Sequence, residues 1–251
     1  MRKARLEILA VSLGLFLAVG GTLAATQVRV GGHAGLSIPD IRGNETDKFS
    51  KGFTSREGPF FGIFADIAWS PHFSLGVELN YTSQGGKKNG MQLITNLPPG
   101  LPTDMDLYAD FKNNTVMDYV ELPVLGRLTF GNRVRFFVNA GPYAGYLVRA
   151  KAITEGSSPI YLDEAGMMPI VASPISFDAD TDVMDSLKKW NFGLAGGGGV
   201  VLPAGPGNLI LEVRIQLGLS TIQRDVTTSG DSQTGTIVIS LGYEFSAVKG
   251  R

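Results

Sequence analysis

Nine charged side chains are the residues most able to do chemistry, because each lies on the polar face of an alternating, strand-like segment. The set is Arg29, Asp66, Glu78, Glu121, Arg127, Arg135, Glu212, Arg214 and Glu244. Five are acids and four are arginines, so the charges nearly cancel. A buried charge without a partner costs several kcal/mol, and the near-balance therefore predicts a structural network of ion pairs. A conducting or gated ion path is the alternative role.

The two histidines give little support for an enzyme. His72 follows Pro71 in a short turn, which predicts a surface position. His33 could face the interior near Ser37 and an acid, a conceivable nucleophile and base, but the spacing does not support such a set. A Gly-x-Ser-x-Gly nucleophile elbow is absent from the sequence. We therefore predict no catalytic residues and no cofactor.

A run of four aspartates in 178–185 has the alternating carboxylates of a calcium-binding loop. Such a loop needs glycine at its sixth position and glutamate at its twelfth, where this chain has Val183 and Lys189. A solvated acidic loop is favoured over a divalent-cation site, and we predict no metal ligands. The four glycines of 196–199 indicate close strand packing, because no lysine-serine pair or helix follows to cradle a phosphate.

Composition narrows the class of protein further. The chain has 251 residues, no cysteine, a charged fraction of 18% and a formal net charge of −1. The lack of cysteine excludes disulfides and thiolate metal sites. The lack of a basic stripe argues against nucleic acid as a partner.

Residues 1–25 predict a signal peptide. They combine a basic start, an apolar run over 8–19 and small residues that permit cleavage after Ala24 or Ala25. A retained membrane anchor is the alternative. The mature domain is expected to cover 26–251, and no later apolar run reaches the roughly 18 residues of a transmembrane helix.

Alternation of polar and apolar residues predicts eight strands in this domain. They cover 27–37, 60–69, 73–84, 116–130, 134–148, 189–202, 208–220 and 235–245. The connections alternate between short turns and the long loops 38–59, 85–115, 149–187 and 221–234. Alternate connections of an up-and-down barrel emerge at one end, so tight turns and long loops are segregated, as in outer-membrane barrels.

The apolar strand faces are expected to meet lipid. They carry aromatic residues near the strand ends, which is typical of the girdles of a membrane barrel. The opposite faces carry the nine charges together with glycines, and an eight-stranded interior is just wide enough to be filled by side chains. A soluble lipocalin-like carrier, with an apolar interior, is the alternative.

Four short motifs carry a family resemblance. They are Tyr119-Val120-Glu121-Leu122-Pro123, Gly141-Pro142-Tyr143-Ala144-Gly145-Tyr146, the glycine-rich stretch from Asn191 to Gly199, and Glu212-Val213-Arg214 with Gly218-Leu219. In this order the chain resembles the porin-like outer-membrane β-barrel domain family of the PorT type. The resemblance implies an all-β, eight-stranded antiparallel transmembrane barrel, surrounded by outer-membrane lipid and inserted by the barrel-assembly machinery.

That family mostly lacks a settled biochemical activity. Its barrels usually end on the last strand's aromatic residue, here Phe245, whereas this chain continues to residue 251. We predict a non-enzymatic outer-membrane barrel with a filled lumen, whose loops 85–115 and 149–187 bind an unknown external ligand or serve envelope structure. A narrow channel and an outer-membrane lipid-modifying enzyme are the alternatives.

Overall fold

The computed structural model describes residues 27–43, 52–94, 102, 105–224 and 231–249. The predicted signal peptide, 1–25, lies outside the described residues. No helix within the described ranges is long and apolar enough to cross a membrane.

Eleven strands and one short 3-10 helix make up the described fold. The strands are β1 Gln27–Gly43, β2 Gly58–Ala68, β3 Phe73–Leu93, β4 Tyr108–Gly131, β5 Arg135–Glu155, β6 Ser157–Tyr161, β7 Pro169–Ser176, β8 Ala179–Asp182, β9 Trp190–Ala204, β10 Gly207–Gly218 and β11 Ser232–Lys249, and the helix is Met184–Ser186.

Eight of these strands close into a ring. Each of β1 to β4 pairs with the next strand, β5 pairs with β9, β9 with β10, β10 with β11, and β11 returns to β1. Every pairing is antiparallel, which confirms the predicted eight-stranded barrel. A closed ring leaves no sheet edge with unpaired backbone groups in lipid.

The outer face of the ring is an apolar band. Its exposed side chains include Leu36, Phe61, Ile63, Leu79, Leu122, Val138, Phe192, Leu194, Leu211, Val213, Ile239 and Leu241. Aromatic pairs lie at both ends of this band. Trp69 stacks on Phe73 near the short turns, and Tyr146 packs edge-on against Trp190 near the long connections. This distribution is the expected girdle pattern of a barrel in a bilayer.

The prediction of irregular loops at 85–115 and 149–187 was wrong for most of the residues involved. β3 and β4 continue as a paired ladder up to Leu93 opposite Tyr108. β5 runs on to Glu155, and β6, β7 and β8 follow within the second segment. Physically, strand alternation continues above the membrane, but there water replaces lipid outside the sheet and the polar and apolar faces exchange places.

These elements form an external extension, comprising 86–94, 107–115 and 151–182, with β6, β7 and β8 in its last segment. Its own small core consists of Ile94, Leu107, Ala109, Phe111 and Ile160, against which Val171, Ile175 and Phe177 pack. From Tyr81 to the end of β3 the ladder has 12 further residues, a rise of roughly 40 Å at the usual strand spacing. The end of the barrel that was predicted to carry long loops is therefore an ordered β-structure with its own core.

The last strand also passes its predicted end. β11 continues through Ser246 to Lys249, which lies opposite Gln27 of β1. The residues after Phe245 therefore extend the barrel wall as far as the described chain reaches. A register shift beside Val28 accommodates the extra pairing at this end.

Candidate functional site: the barrel lumen

The layer of the lumen nearest the short turns is an ion-pair cluster. Asp66 accepts from Arg29 at 2.9 Å and from Arg127 at 3.0 Å. Glu244 lies 3.4 Å from Arg135 and 3.9 Å from Arg29. Three arginines thus share two carboxylates, and four of the five side chains are almost fully buried.

The middle layer is centred on Arg214. Its guanidinium donates to both oxygens of Glu78, at 2.6 and 2.7 Å, and to Glu212 at 3.0 Å. Asn139 donates to Glu212 at 2.8 Å, and Asn80 donates to Glu78 at 2.8 Å. A two-pronged arginine–carboxylate pair with amide support is the geometry in which a buried ion pair recovers its cost of desolvation.

The upper layer contains Glu121, which is fully buried. The carboxylate accepts from the Thr82 hydroxyl at 2.9 Å, the Gln84 amide at 2.6 Å and the Gln216 amide at 2.8 Å. Within the described part of the chain, it has no ion pair with an arginine, lysine or histidine. Glu121 therefore differs from the other four acids of the set.

An apolar cap closes the lumen above Glu121. It consists of Ile41, Met117, Tyr119, Leu147, Ala150, Leu187 and Ile222, with Phe53, Val183 and Met184 packed against it. These residues come from the barrel wall and from the connections that enter the mouth. Apolar side chains at the mouth exclude water from the charged layers below.

Glycines let large side chains fill the space between the layers. A Cβ at Gly193 would collide with the Tyr143 ring, and one at Gly199 would collide with the Phe137 ring. Phe137 also packs against the Arg127 guanidinium, at 4.5 Å from the ring centre. The close strand packing predicted for the glycine-rich run is therefore present. The absence of side chains at these glycines leaves space for aromatic rings inside the barrel.

All nine charged residues of the sequence-derived set point into this lumen. Arg135 is the only one of the nine that is partly exposed, with 24% of its side-chain surface accessible. Strand periodicity located these residues but did not select their neutral partners. Asn80, Thr82 and Gln84 continue the inward face of Glu78, and Gln216 continues that of Arg214. The same alternation could therefore have shown that these neutral side chains also face the lumen.

Asp118 was missed for a different reason. It is buried at the mouth, where Ser83 donates to it at 2.6 Å and Arg149 lies 3.8 Å away. A bulge between Asp118 and Tyr119 shifts the register of β4 against β5. The extra residue is Val148 of β5, so alternation along β4 is undisturbed and places Asp118 on the face opposite Glu121. A search of the inward faces therefore does not include it.

The conceivable nucleophile and base are not assembled. The His33 ring lies 2.8 Å from the Asn80 side-chain oxygen, whereas the Ser37 hydroxyl donates to the Ser83 carbonyl at 2.6 Å. His72 lies in the turn between β2 and β3, with its ring nitrogen 3.0 Å from the Thr129 carbonyl.

The aspartates of 178–185 bind neighbouring protein groups through their carboxylates. Asp180 pairs with Lys151 at 2.7 Å, and Asp182 accepts the Met184 N–H at 2.8 Å. The Gly156 N–H, and secondarily the Ser176 hydroxyl, hold the pKa of Asp178 below its ordinary value. Among the described residues, no three acids or histidines lie close enough to hold a metal ion.

A closed strand ring, an apolar band with aromatic ends and a charged interior define an integral outer-membrane β-barrel protein. The chain belongs to the family of outer membrane protein beta-barrel domains, which it matches over residues 23–224. Its location is therefore the outer membrane, as predicted. No curated protein sequence matches the chain.

Solved structures show a distant likeness over most of the chain. The Neisserial surface protein A is 13% identical with a TM-score of 0.40, covering 87% of this chain and 96% of its own. OprG from Pseudomonas aeruginosa is 8% identical with a TM-score of 0.41, covering 90% and 99%. Ail of Yersinia pestis, bound to the heparin analogue sucrose octasulfate, is 12% identical with a TM-score of 0.36, covering 87% and 99%. At these scores the likeness carries no argument about function.

Proposed function

We propose that this protein is a non-enzymatic outer-membrane scaffold that presents its external extension for binding, and that within its family it is of the PorT type. The observation that carries the proposal is the filled lumen, with an ion-pair cluster, an arginine–carboxylate layer and an apolar cap stacked along the barrel. A barrel closed in this way supports structure outside the membrane rather than passage through it.

The external extension has the properties of a binding element. Its turn between β6 and β7 exposes Met167 at 78% and Met168 at 57%, followed by Ile170 at 40%. Asp163 fixes this turn, because its carboxylate accepts the backbone N–H of Met167 at 3.1 Å and of Met168 at 2.7 Å. Ordered apolar side chains that project into water are typical of surfaces that contact a partner.

The first experiment is planar-bilayer conductance of the refolded mature domain, 26–251. We expect no unitary currents from correctly folded protein, because the charges of the lumen are engaged with one another. Steady, reproducible unitary currents would favour the narrow-channel alternative. An Arg214→Ala variant is the matched control, since it removes the side chain that fills the middle layer and should raise any residual leak.

The second experiment tests the extension. Cells that display the double variant Met167→Glu and Met168→Glu should attach less well to host-cell and polystyrene surfaces than cells with the natural turn. Glu164→Gln, an exposed change in the same turn, serves as the control for altered charge. Equal attachment of all three would remove this turn from the binding surface and leave β7 and β8 to be examined.

The other partners of the protein follow from the same proposal. Outer-membrane lipid covers the apolar band, and the barrel-assembly machinery inserts the chain. No nucleic-acid partner is proposed. A lipid-modifying activity has no assembled residue set to support it among the described residues, since His33 and Ser37 bond to different neighbours. Lipase assays on the purified barrel are expected to show no turnover.

A further inference from the structure

Glu121 is the one acid of the lumen set that forms no ion pair within the described chain. Asp66, Glu78, Glu212 and Glu244 each contact at least one arginine. Glu121 instead accepts three hydrogen bonds from neutral donors, two amides and a hydroxyl. Desolvating a carboxylate costs several kcal/mol unless its charge is compensated, so either a cation or a proton must accompany Glu121 in this layer.

Arg214 lies in the neighbouring layer and forms its ion pairs with other carboxylates. Its Nε and both terminal nitrogens are already bonded to Glu78 and Glu212. Those two carboxylates also exceed the single guanidinium by one negative charge. The middle and upper layers together therefore contain three carboxylates, one arginine and the imidazole of His33, which lies beside Asn80.

The amides beside Glu121 provide a second, independent observation. Gln84 and Gln216 are 0% and 1% exposed, and each uses its nitrogen to contact the carboxylate. Their oxygens are buried and have no hydrogen-bond partner in the described chain. Each oxygen belongs to the same planar amide group whose nitrogen contacts Glu121, so both oxygens lie in this layer of the lumen. The fully buried hydroxyl of neighbouring Tyr119 is likewise without a partner there.

We propose that Glu121, Gln84 and Gln216 form a buried site for one alkali cation, sodium or potassium. A carboxylate offers about four acceptor positions, and three are occupied by N–H or O–H donors, which leaves one for a cation. Carboxylate and amide oxygens are hard ligands that suit alkali and alkaline-earth ions.

The position of the site explains how such an ion is retained. The apolar cap containing Met117, Tyr119 and Leu147 lies above it, and the Arg214 layer lies below. A cation held there is a structural part of the lumen that enters during folding. The protein must therefore be refolded in each salt when binding is measured.

The test is the denaturant unfolding midpoint of the mature domain in phosphatidylcholine vesicles. The protein is refolded in sodium, potassium or choline chloride at one ionic strength. Choline is too large for the site and supplies the same screening of surface charges. We expect a higher midpoint in sodium or potassium than in choline, rising with the concentration of the alkali ion. Equal midpoints in all three salts would overturn the proposal.

Two variants link the effect to this layer. Glu121→Gln removes the charge at nearly constant shape and should abolish the difference between alkali and choline salts. Gln216→Lys tethers an ammonium beside Glu121 and should also abolish it while raising the midpoint in choline. Glu164→Gln, on the exposed turn of the extension, should keep the full difference.

A proton is the competing source of positive charge. In that case the midpoint would not depend on the alkali ion, and it would rise as the pH falls in the natural chain but not in Glu121→Gln. This result would overturn the cation site. An alkali effect that persists in Glu121→Gln would also overturn it, because the ion would then act elsewhere.

Discussion

The membrane-spanning part and the external part of β4 have opposite patterns of polarity, although they belong to one strand. On its inward face, Glu121 and Arg127 are buried in the lumen, whereas Phe111 on the same face is buried in the apolar core of the extension. On its outward face, Leu122 is exposed to the lipid side, whereas Lys112 is exposed above the membrane. The polarity of both faces is thus exchanged along one continuous strand.

The difference teaches that the surrounding solvent sets the pattern of a strand. In lipid, the outer face must be apolar and the polar groups must satisfy one another inside. In water, the outer face can be polar and the buried face must be apolar to drive packing. The two regions should therefore respond differently to the same kind of substitution.

The largest effect is expected from breaking the middle layer of the lumen. Arg214→Met leaves Glu78 and Glu212 buried without their cation, because both depend on that guanidinium. Removing one partner of a buried ion pair costs about 3–5 kcal/mol. Urea unfolding of the refolded barrel in vesicles measures the loss.

A double variant separates charge from packing at this layer. Adding Glu78→Gln to Arg214→Met removes one of the stranded charges and should recover part of the lost stability. No recovery would mean that the volume of the arginine, rather than its charge, holds the layer together.

A smaller effect is expected on the outer face of the membrane-spanning region. Val213 is 49% exposed on that face, and Val213→Arg should destabilise the inserted barrel by about 2–4 kcal/mol if the position lies at mid-bilayer. Asp110→Arg places the same side chain on the outer face of β4 in the extension, where water replaces lipid, and should change stability by less than about 0.5 kcal/mol. Equal costs at the two positions would contradict the exchange of faces.

Sequence alternation predicted the barrel well because the lipid-facing side repeats one chemical rule over eight strands. The positions of Arg214, Glu78 and Glu121 inside the lumen followed from the same period. The extension was not predicted, because at 108–115 the apolar residues move to the opposite face of β4, and an extra residue in β5, Val148, shifts the register of β5 against β4. If every strand is expected to present an apolar face to lipid, a strand whose outer face is polar and exposed to water is mistaken for a loop.

The neutral partners in the lumen could not be ranked from sequence for a related reason. Gln84 and Gln216 share the inward face with many polar residues, and only the shear of the closed ring brings both to Glu121. Their strands, β3 and β10, are not neighbours in the ring. Contacts of this kind depend on the three-dimensional closure of the barrel.

A local loss is expected from loosening the core of the extension. Ile160 is 0% exposed and packs among Leu107 and Phe111. Ile160→Val removes one methylene group and should cost about 1 kcal/mol of local stability. Hydrogen exchange should become faster in β6, β7 and the upper β4 while β9 and β10 keep their protection. Faster exchange throughout the barrel would show that the extension and the membrane-spanning ring unfold as one unit.

The smallest effect concerns Asp178, which ties the extension together at its surface. Its carboxylate accepts the Gly156 N–H at 2.8 Å and the Ser176 hydroxyl at 3.0 Å, and the first contact is the main cause of its lowered pKa. A lowered pKa in the folded state means that this stabilisation is complete above the ordinary aspartate pKa and is lost as the pH falls through the folded value. We expect the Gly156 amide resonance to shift only below about pH 4, near the ordinary pKa of aspartate. The Asp178→Asn variant should show no such titration, because its amide oxygen accepts the same bond at every pH. A Gly156 resonance that titrates equally in both proteins would assign the pH dependence to another group and leave Asp178 without a role in holding the extension.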